Sequence, residues 1–321
     1  MAKLSLTLAC NPYDRVQPLI DGSVQPDGVE LNFITSLSPG EIFWRMLRHA
    51  EFDVAELSLS AYILGLARGD TRFVGIPVFL LRLFRHSYIW VREGAGIERP
   101  EDLKGKTVLV PEYHMTALLY IRGALKHDYG VLPEDLRWLR TRVERVDIDV
   151  PQGVVVQDAG DEQTVEEIMA SGKIDATAGT RPPRGKAPMR RLFPNFREVE
   201  ADYYRRTGIF PIMHVLAIRR EVYEANPWLA LNLMQAFEQA KQQAYHRLHG
   251  VSGIYSLPWL NNELQDTRDV FGEDPFPYGI EPNRASLNAA TVYSYEQGLS
   301  QRQLAIEELF ARETIDVFVE P

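Results

Sequence analysis

Two strand-like stretches far apart in the chain constrain the fold more than any other feature. Residues 82–92 and residues 210–219 are both rich in apolar side chains, and both end in an arginine. Each carries a histidine near its start, His86 in the first stretch and His214 in the second. The segment between them has its own alternation of strand and helix signals. This pattern predicts two hinge strands that join two lobes, with a ligand cleft at the hinge. The alternative is a pair of ordinary core strands.

The length of the chain also favours two lobes. A chain of 321 residues is longer than the size at which a single hydrophobic core usually stops growing. We expect a discontinuous first lobe made of residues 1–92 and 215–321, and a second lobe made of residues 93–214. The hinge strands are expected near 84–92 and 210–219.

Strand and helix signals alternate along the first two thirds of the sequence. Ser38 predicts a helix start, because Pro39 suits the first helical position and Glu41 lies three residues after the cap. Residues 142–160 show no clear pattern and predict a long loop, a type of segment that is often functional. Helical patterns then cover residues 226–248, a segment beginning at residue 282, and residues 301–310.

Alternating strands and helices predict an α/β protein with mostly parallel sheets. Ligands of such sheets bind beyond the carboxyl ends of the strands, where helices begin and their free N–H groups attract anions. Three of these junctions are polar: residues 11–15, the pair Ser58 and Ser60, and residues 113–116. The sequence therefore predicts a small anionic ligand.

Composition excludes several classes of partner. The net charge of −9 argues against nucleic acid, because binding to phosphates requires a basic face. The sequence contains no run of eighteen apolar residues, so no membrane span is predicted. The alternation of residues 4–10 is typical of a strand rather than a signal peptide, and the single Cys10 suits a reducing compartment. We therefore expect a cytoplasmic protein. The sequence leaves open whether it forms a homo-oligomer.

Several stretches together resemble the 4,5-dihydroxyphthalate decarboxylase family. They are residues 53–60, 84–87, 99–106, 111–113, 210–214 and 278–284. The resemblance extends over nearly the whole chain. It implies a type 2 periplasmic-binding-protein fold, in which two α/β lobes are joined by two hinge strands with a cleft between them. It also implies an enzyme of phthalate degradation that converts 4,5-dihydroxyphthalate to protocatechuate without an organic cofactor. One departure is His114, where the family is expected to carry glutamine.

This reaction needs a proton donor and fixed positive charge. Histidine suits the donor because its pKa lies near neutral, and arginine suits a carboxylate because it binds in a bidentate manner. His86 and His214 are the candidate catalytic residues, since both begin a predicted hinge strand. The candidates for binding an aromatic dicarboxylate lie at the strand ends: Tyr13, Asp14, Arg15, Ser58, Ser60, Arg85, Tyr113, His114, Thr116 and Arg181. Glu56 could orient a histidine.

Other functions stay open at this point. A solute receptor or a cytosolic sensor could use the same fold, and so could a chorismate-dehydratase-like enzyme or an enzyme that makes the thiamine pyrimidine precursor. The sequence shows no metal-binding motif, such as a His-x-x-x-His or cysteine pair, so no metal site is predicted. A catechol could nevertheless share a metal with scattered histidines and glutamates.

Overall fold

Strands and helices alternate through most of the molecule. The computed structural model describes residues 3–160, 164–183, 188–250 and 255–317. The strands are β1 (Leu4–Ala9), β2 (Val29–Ile34), β3 (Val54–Ser58), β4 (Phe73–Arg82), β5 (Ile89–Arg92), β6 (Thr107–Val110), β7 (Arg137–Arg140), β8 (Val155–Asp158), β9 (Ala176–Ala178), β10 (Met189–Arg191) and β11 (Ile212–Arg219). The helices are α1 (Gln17–Ile20), α2 (Pro39–His49), α3 (Leu59–Ala67), α4 (Thr116–Tyr129), α5 (Val165–Ala170), α6 (Phe196–Thr207), α7 (Arg220–Ala225), α8 (Trp228–Gly250), α9 (Leu260–Phe271) and α10 (Arg284–Glu296).

The first sheet is built from both ends of the described chain. Its strand order is β2-β1-β3-β11-β4. The pairs β1–β2 and β1–β3 are parallel, whereas β11 runs antiparallel to both of its neighbours. Every residue of β3 is buried, as expected for a strand covered on both faces of its sheet. The chain thus leaves this sheet after Arg82 and returns to it at Ile212.

The second sheet takes all its strands from the intervening segment. Its order is β10-β5-β9-β6-β7-β8. Strands β6 to β9 are parallel where they pair, and β5 runs antiparallel to β9 and β10. Both sheets are therefore mixed rather than mostly parallel. The predicted boundary at residue 92 would place β5 in the first lobe, but its pairing places it in the second sheet.

The expected continuous strand over residues 82–92 is wrong. Between β4 and β5 the chain forms a 3-10 turn at His86–Tyr88. The turn is held by a distant partner, because the N–H of Ser87 donates to the carboxylate of Glu200 in α6 at 2.8 Å. A local pattern of residues gives no signal for such a contact. The matching expectation for residues 210–219 is confirmed by β11.

One hydrophobic core joins the two sheets. A continuous cluster of buried side chains includes Leu57 of β3 and Val108 of β6. Helix α4, which follows β6, packs against α10, and the Tyr120 hydroxyl donates to the carbonyl of Ser286 at 2.8 Å. Gly123 permits this close approach, since a Cβ there would lie 2.2 Å from the ring of Tyr293. The contact between the two halves is therefore tightly packed and largely apolar.

Several helix predictions can be compared directly with the structure. Ser38 caps α2 as expected, and its hydroxyl accepts a hydrogen bond from the N–H of Glu41. The helix predicted over 226–248 is confirmed by α8 and the one from residue 282 by α10. The helix predicted over residues 301–310 is wrong: only a 3-10 turn forms there, at Ile306–Leu309.

The acidic side chain in this turn explains the shorter structure. Glu308 accepts a hydrogen bond from the N–H of Ala305 at 2.8 Å and pairs with Arg302. These contacts complete a single turn. The chain then extends, and Phe310 forms an isolated β-bridge with Gly75 of β4. Across the described helices, none combines the length and apolar character needed to cross a membrane.

Candidate functional site

A cavity lies where α3 and α4 begin, between the two sheets. The empty space between its lining residues is about 420 Å³, and this figure includes the part that is open to solvent. Its wall combines charged, hydroxyl and apolar groups: Phe43, Leu47, Ser58, Ala61, Arg85, Glu112, His114, Met115, Thr116, Ala117, Arg145, Thr180, Met213 and His214. Strands β3 and β11 of the first sheet contribute to this wall, and the segment between the sheets adds residues 112 and 114–117 with Arg145 and Thr180.

Hydroxyl groups join the starts of the two helices. Ser58 ends β3, and its Oγ lies 2.9 Å from Oγ1 of Thr116, the first residue of α4. The N–H of Ser60 donates to the same Thr116 oxygen at 3.0 Å, and the Ser60 hydroxyl donates to the carbonyl of His114 at 2.7 Å. Two helix N-termini therefore meet at one cavity, and their dipoles favour an anion there.

His214 and Glu56 form a buried pair on this wall. The two residues lie on the adjacent strands β11 and β3, and Nδ1 of His214 is hydrogen bonded to Oε1 of Glu56. The Glu56 side chain is fully buried and that of His214 is 12% exposed. Since Nδ1 is occupied, Nε2 is the nitrogen that His214 can offer to a ligand.

Glu56 is held as a carboxylate. Burial by itself would raise the pKa of Glu56, but hydrogen bonds from His214, the Tyr13 hydroxyl and the N–H of Asn11 outweigh it, and the pKa lies below its usual value. The side-chain amide of Asn11 adds a further hydrogen bond at 3.1 Å. An ionised Glu56 fixes the orientation of the imidazole through its Nδ1. Tyr13 thus belongs to the site through Glu56, behind the cavity wall.

Arg85 brings an unneutralised cation to the same wall. Its Nε contacts the sulfur of Met213 at 3.1 Å and its Nη1 the carbonyl of Gly179 at 3.4 Å. Among the described residues, no carboxylate lies within ion-pair distance of this guanidinium. Burial lowers the pKa of Arg85 to about 10, which leaves it charged near neutral pH. A buried cation without a partner is costly, so this position favours an anionic ligand.

His114 has a carboxylate partner of its own. Its Nδ1 is hydrogen bonded to Glu144, which also accepts the N–H groups of Tyr113 at 2.7 Å and His114 at 3.0 Å. Burial would raise the pKa of Glu144, but these hydrogen bonds, led by that from the His114 side chain, lower it to about 2. The cavity therefore has two histidines, each fixed by an ionised glutamate.

Glu112 and Arg145 were not among the residues singled out from the sequence. Glu112 is 1% exposed and pairs with Arg142 at 3.2 Å and with Arg145 at 2.8 Å. In the sequence, Glu112 belongs only to the family resemblance over residues 111–113, and Arg145 lies in the patternless segment 142–160. The length of that segment was the one available signal of a functional role.

His86 lies apart from the described cavity wall. It packs edge-on against Phe193 and Tyr203, with ring centroids 5.3 and 5.0 Å away. Neither ring nitrogen has a hydrogen-bond partner within the described part of the chain. Burial lowers the pKa of His86 to about 4, so the ring is neutral near pH 7. These surroundings are those of a core histidine.

The other predicted binding residues occupy different positions. Arg15 pairs with the exposed Asp14 at 3.1 Å and lies over the ring of Phe276 at 4.2 Å, behind β4. Tyr113 is buried beneath the Arg122 guanidinium, which is 3.8 Å from its ring centroid. Arg181 is exposed beside Thr180, and only the latter lines the cavity. The structure thus brings Arg85, His214, Ser58, His114 and Thr116 together at one wall.

The described residues offer no ready metal site. Within the ranges that the structure covers, no group of three or more histidine, cysteine, aspartate or glutamate side chains is arranged to hold a metal ion. The two His–Glu pairs of the cavity each hold a hydrogen bond instead.

Two curated proteins are similar to this chain in sequence. A 4,5-dihydroxyphthalate decarboxylase from Comamonas testosteroni is 39% identical over 329 aligned positions, covering 99% of each chain. A second 4,5-dihydroxyphthalate decarboxylase, from Pseudomonas putida, is 39% identical over 215 positions, covering 64% of this chain and 83% of that protein. No protein-family model matches the chain.

Solved structures show the same fold at low sequence identity. The periplasmic aliphatic sulphonate binding protein SsuA from Escherichia coli superposes with a TM-score of 0.56 at 14% identity, covering 97% of this chain and 98% of that one. The alkanesulfonate-binding protein SsuA from Xanthomonas axonopodis gives a TM-score of 0.50 at 13% identity, covering 98% of each chain. The expected class, a periplasmic-binding-protein fold with two α/β lobes, is confirmed.

Proposed function

We propose that the cavity of this chain removes one carboxylate from 4,5-dihydroxyphthalate. The chain belongs to the 4,5-dihydroxyphthalate decarboxylase family and is therefore a carboxy-lyase. The products are protocatechuate and carbon dioxide. One observation carries the assignment of the site. The same wall presents a buried guanidinium that has no carboxylate partner among the described residues, and an imidazole supported by a buried carboxylate. The first suits a substrate anion and the second suits proton transfer.

The chemistry defines what these groups must do. Each ring carboxylate of the substrate has a hydroxyl para to it. When that hydroxyl loses its proton, electron density moves onto the carbon that bears the carboxylate. A general acid then protonates this carbon. The bond to the carboxylate breaks, its electrons restore the aromatic ring, and neutral carbon dioxide leaves. One proton is consumed for each carbon dioxide released.

His214 is the proton donor in this proposal. As an imidazolium it can deliver the proton from Nε2, while Nδ1–H stays hydrogen bonded to Glu56. The ionised Glu56 stabilises the charged ring before transfer and keeps Nε2 directed away from the strand pair. His86, the other candidate from the sequence, has no comparable carboxylate among the described residues and lies off the cavity wall.

Arg85 holds a carboxylate of the substrate, assisted by the helix starts at Ser58 and Thr116. Its guanidinium and the N–H groups of two helix N-termini present positive charge to the same space. His114 offers Nε2 to a ring hydroxyl, since Glu144 occupies its Nδ1. Binding thereby replaces the missing counterion of Arg85, which favours the charged substrate over a neutral analogue.

The lobe boundaries and the cellular location belong to the same proposal. The two sheets support the predicted lobes, residues 1–92 with 215–321 and residues 93–214, except that β5 belongs to the second lobe. The crossings near 83–88 and 208–211 would then act as the hinge. The reducing environment suited to a single free cysteine supports a cytoplasmic enzyme.

The alternatives drawn from the fold alone are not favoured. A solute receptor, a sensor and a chorismate-dehydratase-like enzyme would each be compatible with the SsuA-like architecture. Identity of 39% to a decarboxylase over 99% of both chains separates the chain from these classes.

The deciding experiment follows product formation in heavy water. Purified protein is incubated with 4,5-dihydroxyphthalate in D₂O, and the products are analysed by ultraviolet absorbance and mass spectrometry. We expect protocatechuate and carbon dioxide in equal amounts, with one deuterium on the carbon that lost the carboxylate. Unchanged substrate would refute the proposal, and product without carbon-bound deuterium would refute proton transfer to the ring.

A further inference from the structure

The segment between β7 and β8 crosses from one sheet to elements of the other. We call residues 141–154 the strap. It begins beside the second sheet, and Arg68 at the end of α3 donates to the carbonyl of Asp147 and pairs with Asp149 at 3.1 Å. Further along, Pro151 contacts Gly298, just after α10. The strap is thus attached to helices that pack with the first sheet.

The strap delivers one guanidinium into the cavity. Arg142 and Arg145 both pair with Glu112, so this buried carboxylate is shared by two cations. The side chain of Arg142 is 50% exposed, whereas that of Arg145 is 19% exposed and lines the cavity. Nη1 of Arg145 lies 2.8 and 3.0 Å from the two oxygens of Glu112, and among the described residues neither Nε nor Nη2 has a hydrogen-bond partner, so this edge of the guanidinium is available to a ligand.

Helix α2 leaves room for this guanidinium. Gly40 is the second residue of the helix, and a Cβ at this position would lie 2.7 Å from Nη2 of Arg145. Its backbone φ is not in the left-handed region, so alanine would fit the local conformation. Space for Arg145, rather than backbone freedom, is what this glycine provides.

We propose that Arg145 is the second carboxylate-binding residue of the site, acting with Arg85, and that the strap thereby sets the preference for dicarboxylates. This rests on the proposed function for the identity of the substrate. Each guanidinium binds one of the two adjacent carboxylates of the ring. Arg145 then differs from Arg142 in function, although both pair with Glu112.

The test measures the binding of two ligands that lack the para hydroxyl on which decarboxylation depends. Phthalate carries two carboxylates and benzoate carries one, and their dissociation constants are measured by calorimetry. For Arg145→Ala we expect phthalate to bind about 30-fold or more weakly. Benzoate should change by less than about threefold, since Arg85 remains available to it.

Arg142→Ala is the matched control on the same carboxylate. It removes the other cation paired with Glu112 but no group of the cavity wall, so phthalate and benzoate should both bind as in the wild type. If Arg142→Ala and Arg145→Ala weaken the two ligands equally, Arg145 is only a structural partner of Glu112 and the proposal fails.

A second variant tests the proposal without deleting any charge. Gly40→Ala should displace the Arg145 guanidinium and weaken phthalate about tenfold, because a small misplacement of a binding group is costly. Its melting temperature should not fall, since alanine favours helices over glycine. Gly65→Ala in α3 is the control, because its added Cβ would meet Asp70 at an ordinary 3.7 Å. Equal phthalate binding by the two alanine variants would overturn the role of Arg145.

These readouts separate the two proposals. Neither ligand is turned over, so binding can be scored in a protein that leaves 4,5-dihydroxyphthalate intact. That outcome would refute the proposed function alone. Turnover of 4,5-dihydroxyphthalate with phthalate binding that is insensitive to Arg145 would refute the present inference alone. A wild-type protein that does not prefer phthalate to benzoate would also overturn it.

Discussion

His214 is positioned by a carboxylate that is itself out of water. Because Glu56 is ionised at full burial, its interaction with the protonated imidazole is weakly screened. The ring is therefore held in one orientation and one tautomer before the substrate arrives. This is the arrangement expected of a group that must place a proton on a specific carbon.

Replacing His214 with glutamine should remove that proton. We expect His214→Gln to lower kcat by roughly 10²–10⁴, because glutamine can accept and donate hydrogen bonds but cannot protonate carbon. Phthalate affinity should be nearly unchanged, and the pH profile should lose one limb. His86→Gln serves as the control and should retain the wild-type pH profile. Wild-type turnover by His214→Gln would assign the donor elsewhere.

Arg85 offers a prediction about ligand charge. Arg85→Ala should weaken phthalate by on the order of 2–5 kcal/mol, because it removes a desolvated cation from an anion site. Benzoate should lose less, since other positive groups of the cavity can hold its single carboxylate. Titration calorimetry of both ligands gives the difference directly. Equal losses for the two ligands would show that Arg85 does not hold a second carboxylate.

His114 should be replaceable. We expect His114→Gln to keep kcat within about tenfold of the wild type, because glutamine retains a hydrogen-bonding group of similar reach. The backbone N–H groups of residues 113 and 114 still hold Glu144 in this variant. The family resemblance also implies glutamine at this position. A loss comparable to that of His214→Gln would instead make His114 a proton-transfer residue.

Glu144 makes the folded state sensitive to acid. Its pKa of about 2 is below the usual value of 4.5, so its stabilising interactions are complete above about pH 4.5. They are lost as the pH falls from there toward 2, because protonation then favours the unfolded chain. Urea unfolding of the wild type should weaken across this interval more steeply than that of Glu144→Gln. Parallel slopes for the two proteins would contradict the assignment.

Residue patterns identified the chemistry better than its location. His86 and His214 have similar local sequence, each near the start of an apolar stretch. What distinguishes them is a contact between residues 158 positions apart in sequence, from His214 to Glu56. Arg145 was missed for the related reason that the strap has no periodicity, and only its contacts across the cavity reveal it.

At the scale of elements, local signals succeeded where the chain satisfies its own hydrogen bonds. The cap at Ser38 and helix α8 were predictable because helix starts depend on a few adjacent residues. The turn at His86–Tyr88 was not, since Glu200 supplies its partner from α6. The patternless segment 142–160 includes β8, whose pairing with β7 likewise depends on tertiary context.

The packing of α4 on α10 gives a prediction for stability. Gly123→Ala should lower the free energy of unfolding by about 1–3 kcal/mol, because its Cβ would overlap the Tyr293 ring and force the helices apart. Denaturant unfolding measures the change, with Gly65→Ala as the control for an alanine in a helix. An unchanged or higher stability of Gly123→Ala would mean that the ring moves aside freely.

For the whole molecule, the shared core limits how far the lobes can separate. Lobes move readily when their interface is small and polar, whereas this interface is continuous with the apolar core. We therefore expect phthalate to change the radius of gyration in solution scattering by less than about 1 Å. A larger contraction on binding would show that the lobes open and close around the hinge crossings.

The return of β11 to the first sheet also sets an order of events during synthesis. This strand lies between β3 and β4, so neither neighbour can complete its hydrogen bonds until Arg219 has left the ribosome. The strands of the second sheet, by contrast, are all made by Arg191. The first sheet is therefore completed after the second, although four of its five strands are translated earlier. A nascent chain stalled before β11 would expose two strand edges, which are sites for mispairing with other chains.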